Sequence, residues 1–145
     1  MTSAIRPTIA VSIAVFRDDG KVLIATRTKP PAAGVWSLPG GRLEPGETLE
    51  AGALRELHEE VSVEAEVIGF NRHVESIGQD NNGLLTHHFV VASFVGRWKA
   101  GEAQIGPEAG EVRWIDPDAL GGLAVTHELG SVLRSAQKIW EASRR

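Results

Sequence analysis

The chain has 145 residues, a formal net charge of −4 and no cysteine. Disulfides, thiolate metal sites and thiol chemistry are therefore excluded, and the length is that of one domain, residues 1–145, able to bury roughly 68–70% of its unfolded surface without a staple. No apolar run is long enough to span a bilayer and no signal-peptide pattern opens the chain, so a cytoplasmic protein without a membrane partner is expected.

In chain order, Thr8 to Phe16 alternates apolar with small or polar residues and reads as a strand. Asp18-Asp19-Gly20-Lys21 then predicts a hairpin turn, with Val22 to Thr26 returning. Pro30-Pro31 starts a loop, and Val35 to Leu38 reads as a short strand before Pro39-Gly40-Gly41. Thr48 is placed to cap a helix from about Leu49 to Val61. Val63 to Val74 reads as a strand, Ser76 to Gly83 as a polar loop, Leu84 to Val95 as a long strand and Val112 to Ile115 as a short one. Asp116-Pro117 opens a turn, and Thr126 to about Ala142 forms a last helix, with Leu129, Val132, Leu133, Ala136 and Trp140 at helical spacing. The mixed order of strands and helices predicts an α/β or α+β sandwich.

Acidity is concentrated in one place. Between Arg42 and Glu66 lie eight of the 19 acids but only two of the 15 basic residues. Nothing elsewhere makes a broad basic face, so duplex nucleic acid is not an expected partner. On a helical wheel at ~100° per residue, Leu49, Ala53, Leu54, Leu57 and Val61 form the apolar stripe. Glu56, Glu59 and Glu60 border that stripe, and Glu60 overlaps it. Such carboxylates are partly buried and close together, and without a cation some would hold a proton. The alternative is an ordinary Glu-rich surface helix. What precedes the helix favours the cation: glycines let backbone carbonyls turn toward a hard ion such as Mg²⁺, which takes oxygen ligands.

The stretch GRLEPGETLEAGALRELHEEVSV, Gly41 to Val63, resembles the signature of the Nudix hydrolases, G-x5-E-x7-R-E-U-x-E-E-x-G-U, where U is a bulky aliphatic. Gly41, Glu47, Arg55, Glu56, Leu57, Glu59, Glu60 and Val63 match in register. The signature's last glycine is Ser62 here, at a helix exit where a left-handed residue is common. The resemblance implies a Nudix-type α/β/α sandwich with a mixed sheet and the loop-helix motif. It implies a Mg²⁺-dependent hydrolase, with Mn²⁺ able to substitute, that cleaves a nucleoside diphosphate linked to another moiety X.

In that reading Glu56, Glu59, Glu60 and the Gly40 carbonyl hold the metal, and Glu56 can also orient or deprotonate the attacking water. Glu47 and Arg55 form a supporting pair, with Gly41 at the head of the loop. Glu108 is a further candidate base or ligand, with Glu111 its rival. Trp36, Trp98 and Trp114 could stack on a base, Arg6 and Arg27 could meet a phosphate, and Trp36 and Arg27 are the substrate contacts chosen. His73, His87 and His88 read as structural. The proline that marks some ADP-ribose-cleaving members downstream of the box is absent from VESIGQDNN. X therefore stays open between ADP-ribose or nucleotide-sugar and nucleoside-triphosphate substrates. The competing reading is a non-catalytic nucleotide-binding or regulatory module, and the chain is expected as a monomer or homodimer.

Overall fold

The computed structural model describes residues 5–28, 33–106 and 109–145; Pro30, Pro31 and Glu108 lie outside them. The elements are β1 (Thr8–Phe16), β2 (Val22–Arg27), β3 (Trp36–Ser37), β4 (Gly40–Arg42), α1 (Leu49–Val61), β5 (Glu64–Gln79), β6 (Leu85–Ala100), β7 (Ala109–Ile115) and α2 (Leu129–Ser143). They build one mixed sheet in the order β3-β2-β1-β6-β5, with β4 added to β1 and β7 to β2. Parallel pairing joins β1 to β6 from Thr8↔Phe89 to Phe16↔Arg97, and the other pairs are antiparallel.

Alternation along β1 sorts its side chains onto two faces. Val11, Ile13 and Val15 join Leu23, Ala25 and the Ala53, Leu57 and Val61 stripe of α1. Ala14 and Phe16 join Val22, Ile24, Val95 and the buried face of α2, where Trp140 stacks on Phe16 at 5.2 Å. One helix thus covers each face of an α+β sandwich, and each fully buried Leu or Val side chain contributes about 1.5–3 kcal/mol. Among the described residues no helix is long and apolar enough to cross a membrane.

Several segments differ from the sequence reading, among them β6, which runs on to Ala100, and β7, which starts at Ala109. Ser76 to Gly78 are strand, not loop, because they pair with Phe89 to His87. The turn is confined to Asp80–Leu84, where the Asp80 carboxylate accepts from the Asn82 and Leu84 N–H groups at 2.8 and 3.0 Å. A polar strand in a two-stranded ribbon carries no apolar alternation to reveal it. Pro39-Gly40-Gly41 leads into a strand that was not expected, Gly40 to Arg42, pairing with Ser12 to Ala10. Finally, α2 starts at Leu129, because the Thr126 N–H bonds to the Trp36 carbonyl at 3.0 Å instead of entering a helix.

Ser62 stands in the left-handed region, φ 61° and ψ 29°, with its N–H on the His58 carbonyl at 2.9 Å. A non-glycine residue there costs roughly 1–2 kcal/mol, part of which glycine returns through its floppier unfolded chain. Ser62→Gly is therefore expected to raise Tm by a few degrees and leave turnover unchanged, as thermal unfolding and a rate assay would show. A large loss of turnover would mean that the Ser62 side chain has a role of its own.

Candidate active site

The loop before α1 is set by its own backbone. Gly46 adopts φ +84°, the Glu47 N–H bonds to the Glu44 carbonyl at 3.2 Å, and Thr48 accepts from the Ala51 N–H at 3.1 Å, capping the helix. The Glu47 carboxylate turns back to accept from the Glu44 N–H at 2.8 Å. Gly52 makes room for it: a Cβ there would stand 2.9 Å from both a Glu47 oxygen and a Leu43 methyl.

Arg55 sits among the acids. Its Nε and Nη2 fork onto Glu47 at 2.9 and 2.6 Å. Its Nη1 donates to Glu56 at 2.8 Å and to Glu59 at 3.2 Å, and Nη2 also reaches the Arg42 carbonyl at 3.0 Å. One guanidinium thus bridges three carboxylates, offsetting one of their three charges, and ties the loop to the helix. The Glu47 bond is the first cause that holds Arg55 further in its charged form than usual. The sequence anticipated the fork onto Glu47 but not the reach to Glu56 and Glu59.

The Arg55 hydrogen bond, followed by the Glu44 N–H, also lowers the Glu47 pKa from 4.5 to about 2. Because the folded-state value is depressed, this pairing stabilises the fold fully above about pH 4.5 and is lost as pH falls toward about 2. Glu47→Gln is expected to flatten stability against pH inside that window, by denaturant titration at several pH values. An unchanged acid limb would show that Glu47 is not the group that titrates.

The three acids differ in burial. Glu60 is 7% exposed, while the side chains of Glu56 and Glu59 are 12% and 59% exposed. Glu60 accepts from the Gly40 N–H at 3.0 Å. The β1–β4 register explains why that N–H is available. Ile13 donates to the Pro39 carbonyl and Leu43 to the Ile9 carbonyl, each at 3.1 Å, and alternation then leaves both the N–H and the C=O of Gly40 pointing away from β1. Gly41 brings the backbone against the helix, since a Cβ there would lie 2.5 Å from the Glu56 carboxyl carbon.

The far end of α1 is tied as well: Gln104 and Gly106 donate to the Val61 and Glu60 carbonyls, each at 2.9 Å. Gly106 admits no Cβ, which would stand 2.7 Å from the Glu60 carbonyl oxygen. Residues on both sides of Glu108 are thereby anchored near this helix end, with the Ala109 N–H on the Gly106 carbonyl at 3.3 Å. Glu111 is 3.6 Å from Arg113 and largely exposed.

In this arrangement no three His, Asp or Glu side chains among the described residues converge on one point, as Glu56 and Glu59 are turned toward Arg55. The donor set itself, three carboxylates from one helix beside a backbone carbonyl at Gly40, consists of hard oxygens and fits a hard divalent cation.

Of the aromatic candidates, Trp36 and Trp114 are covered, while Trp98 is 40% exposed. Trp36 is 6% exposed in the cluster under α2, with the Arg113 guanidinium 4.8 Å from its ring centre; a ring so enclosed offers no open face to a base. Trp114 is covered by Arg17 at 4.5 Å, and the Trp98 indole donates to the Gly101 carbonyl at 2.8 Å. Arg27 ends β2, with its carbonyl accepting from the Gly34 N–H at 2.7 Å. His87 stacks on Phe89 and meets the Ser76 hydroxyl at 3.2 Å, while His88 lies on the other face of β6.

The model of the NUDIX domain family matches residues 6–134. An ADP-ribose pyrophosphatase from Methanocaldococcus jannaschii is 32% identical over 124 residues, covering 86% of this chain and 70% of that protein. An RNA pyrophosphohydrolase from Gluconobacter oxydans is 34% identical over 133 residues, covering 83% of this chain and 76% of that protein. Among solved structures, a MutT NUDIX hydrolase from Burkholderia pseudomallei superimposes with a TM-score of 0.78 at 27% identity, over 90% of this chain and 98% of that one.

Proposed function

The chain belongs to the NUDIX hydrolase family, and from that premise we propose that it hydrolyses the pyrophosphate bond of a nucleoside diphosphate linked to a moiety X, using Mg²⁺. The observation that carries the reading is the graded burial of Glu60, Glu56 and Glu59 on one helix beside the outward backbone of Gly40. Glu56, Glu59, Glu60 and the Gly40 carbonyl would hold the cation. Bound there, Mg²⁺ would neutralise diphosphate oxygens that otherwise repel a nucleophile.

Glu56, beneath Gly41, orients the attacking water and takes its proton. A new P–O bond forms as the bridging P–O bond breaks, and the leaving phosphate carries off the electron pair. Glu108 is the alternative base. Glu47 and Arg55 position the helix and do not touch substrate.

For X, the ADP-ribose pyrophosphatase relative favours ADP-ribose or a nucleotide sugar. Nucleoside triphosphates come next, and the RNA pyrophosphohydrolase relative adds a 5′-phosphorylated RNA end. The test incubates purified protein and Mg²⁺ with ADP-ribose, NADH, nucleotide sugars, diadenosine polyphosphates, nucleoside triphosphates and a 5′-triphosphorylated RNA, with Glu56→Gln as the blank. Turnover of one class, absent in the blank, supports the proposal and names X. No turnover across the panel while Mn²⁺ still binds would replace it with a nucleotide-binding role.

A further inference from the structure

Beyond β5 the sheet has no further described strand, so the outer backbone groups of β5 face outward as a pairing template. Edge strands are often blunted by bulges, and β5 shows register shifts at Glu64/Ala65, Val67/Gly69, Phe70/Arg72 and Gly78/Gln79. Between the last two, Arg72 to Gly78 pair one-to-one with Ser93 to His87 without interruption.

The side chains of this stretch are ordered. Phe70, His73, Glu75 and Ile77 stand opposite Phe94, Ala92, Val90 and His88, alternate residues of β6, and so share one face. The bulge at Asn71 is what brings Phe70 into that row. Phe70 and Ile77 are each 54% exposed, and the His73 and Glu75 side chains are 66% and 61% exposed. The row reads apolar, His, Glu, apolar. Turned end for end about Val74, it sets His against Glu and brings Ile77 to the bulge that adjoins Phe70.

We propose that β5 pairs antiparallel with β5 of a second copy of this chain across a twofold axis through Val74. An axis normal to the sheet keeps each face on the same side, as an isologous pairing requires. Val74 then meets Val74, His73 meets Glu75, Arg72 meets Ser76, and Ile77 meets the bulge at Asn71, next to Phe70.

The hairpin gives a second reason for this occupant. β1 pairs with β6 only from Phe89 onward, so Ile77 to His88 project as a two-stranded ribbon, and such a ribbon is marginal by itself. Pairing through β5 makes the ribbon part of a continuous β6-β5-β5-β6 sheet.

Sedimentation velocity across the micromolar range tests the proposal, with the wild type expected at twice the 15.6 kDa chain mass. His73→Glu and Glu75→Lys each set like or unmatched charges opposite one another twice per dimer. Each is expected to weaken self-association by about tenfold. Mixed together they are complementary and should form a heterodimer. Thermal unfolding of each variant checks that it stays folded. In this cysteine-free chain, Val74→Cys should form an intermolecular disulfide on oxidation, while Thr86→Cys on the hairpin should not. A wild type that stays monomeric, single variants that self-associate as tightly as wild type, or a mixture that does not associate would each overturn the pairing.

Discussion

Glu56→Gln is expected to lower turnover by about 10²–10⁴-fold, the range a positioned proton acceptor contributes, with little change in fold. The substitution is nearly isosteric, and Gln still presents an oxygen to the Arg55 guanidinium that lies 2.8 Å from Glu56. It removes the negative charge and the basic oxygen together. Glu60→Gln makes the matching comparison, because Glu60 is the most buried of the three acids and its acceptor oxygen serves the Gly40 N–H. Both variants should bind Mn²⁺ more weakly than wild type, which can be titrated without any substrate. If Glu56→Gln retained turnover within a few-fold of wild type, Glu56 would be excluded as the base, and Glu108 would take its place.

Gly41→Ala should reach a similar end by displacement. The added methyl would stand 2.5–2.6 Å from the carboxyl atoms of Glu56, closer than any real contact permits. Those atoms are the tip of a flexible side chain, so the clash is relieved by moving the carboxylate rather than the backbone. Stability should therefore stay close to wild type. A misplacement of about 1 Å at a reacting group can cost 10²-fold, and a loss of about that size in kcat is expected, with Tm nearly unchanged. Gly40→Ala provides the contrast, since its Cβ would strike the Val11 carbonyl and the Ser12 backbone of β1, neither of which can yield without parting β4 from β1. An active Gly41→Ala enzyme would mean that the position of the Glu56 carboxylate does not govern the rate.

Together the two substitutions separate charge from position at one carboxylate. They also bear on why acids are tolerated so close together. In this arrangement a single guanidinium, held by Glu47 and by the Arg42 carbonyl, lies against Glu56 and Glu59, while the buried Glu60 faces a backbone N–H. A cation at the Gly40 side would add to this compensation, which is why metal titration and turnover belong in the same experiment.

Local features were legible in the amino-acid sequence because their causes are local. The bounds of α1, its Thr48 cap and the overlap of Glu60 with its buried stripe all follow from helical geometry over fewer than twenty residues. The family resemblance lay in the same stretch. Contacts between distant segments were not legible. The approach of Gly41 to Glu56, the outward Gly40 N–H and the enclosure of Trp36 depend on β4 lying on β1 and on the 124–126 segment lying along β3, and the tie from Gly106 to the Glu60 carbonyl depends on the 104–106 segment lying along the end of α1. The polar strand Ser76 to Gly78 escaped detection because its partner strand, not its composition, holds it extended. The sequence by itself determined which residues carry charge and which helix face presents them. Only the tertiary structure decided what each carboxylate faces, because that is set by strand register between residues far apart in the chain, and no periodicity within a single segment records it.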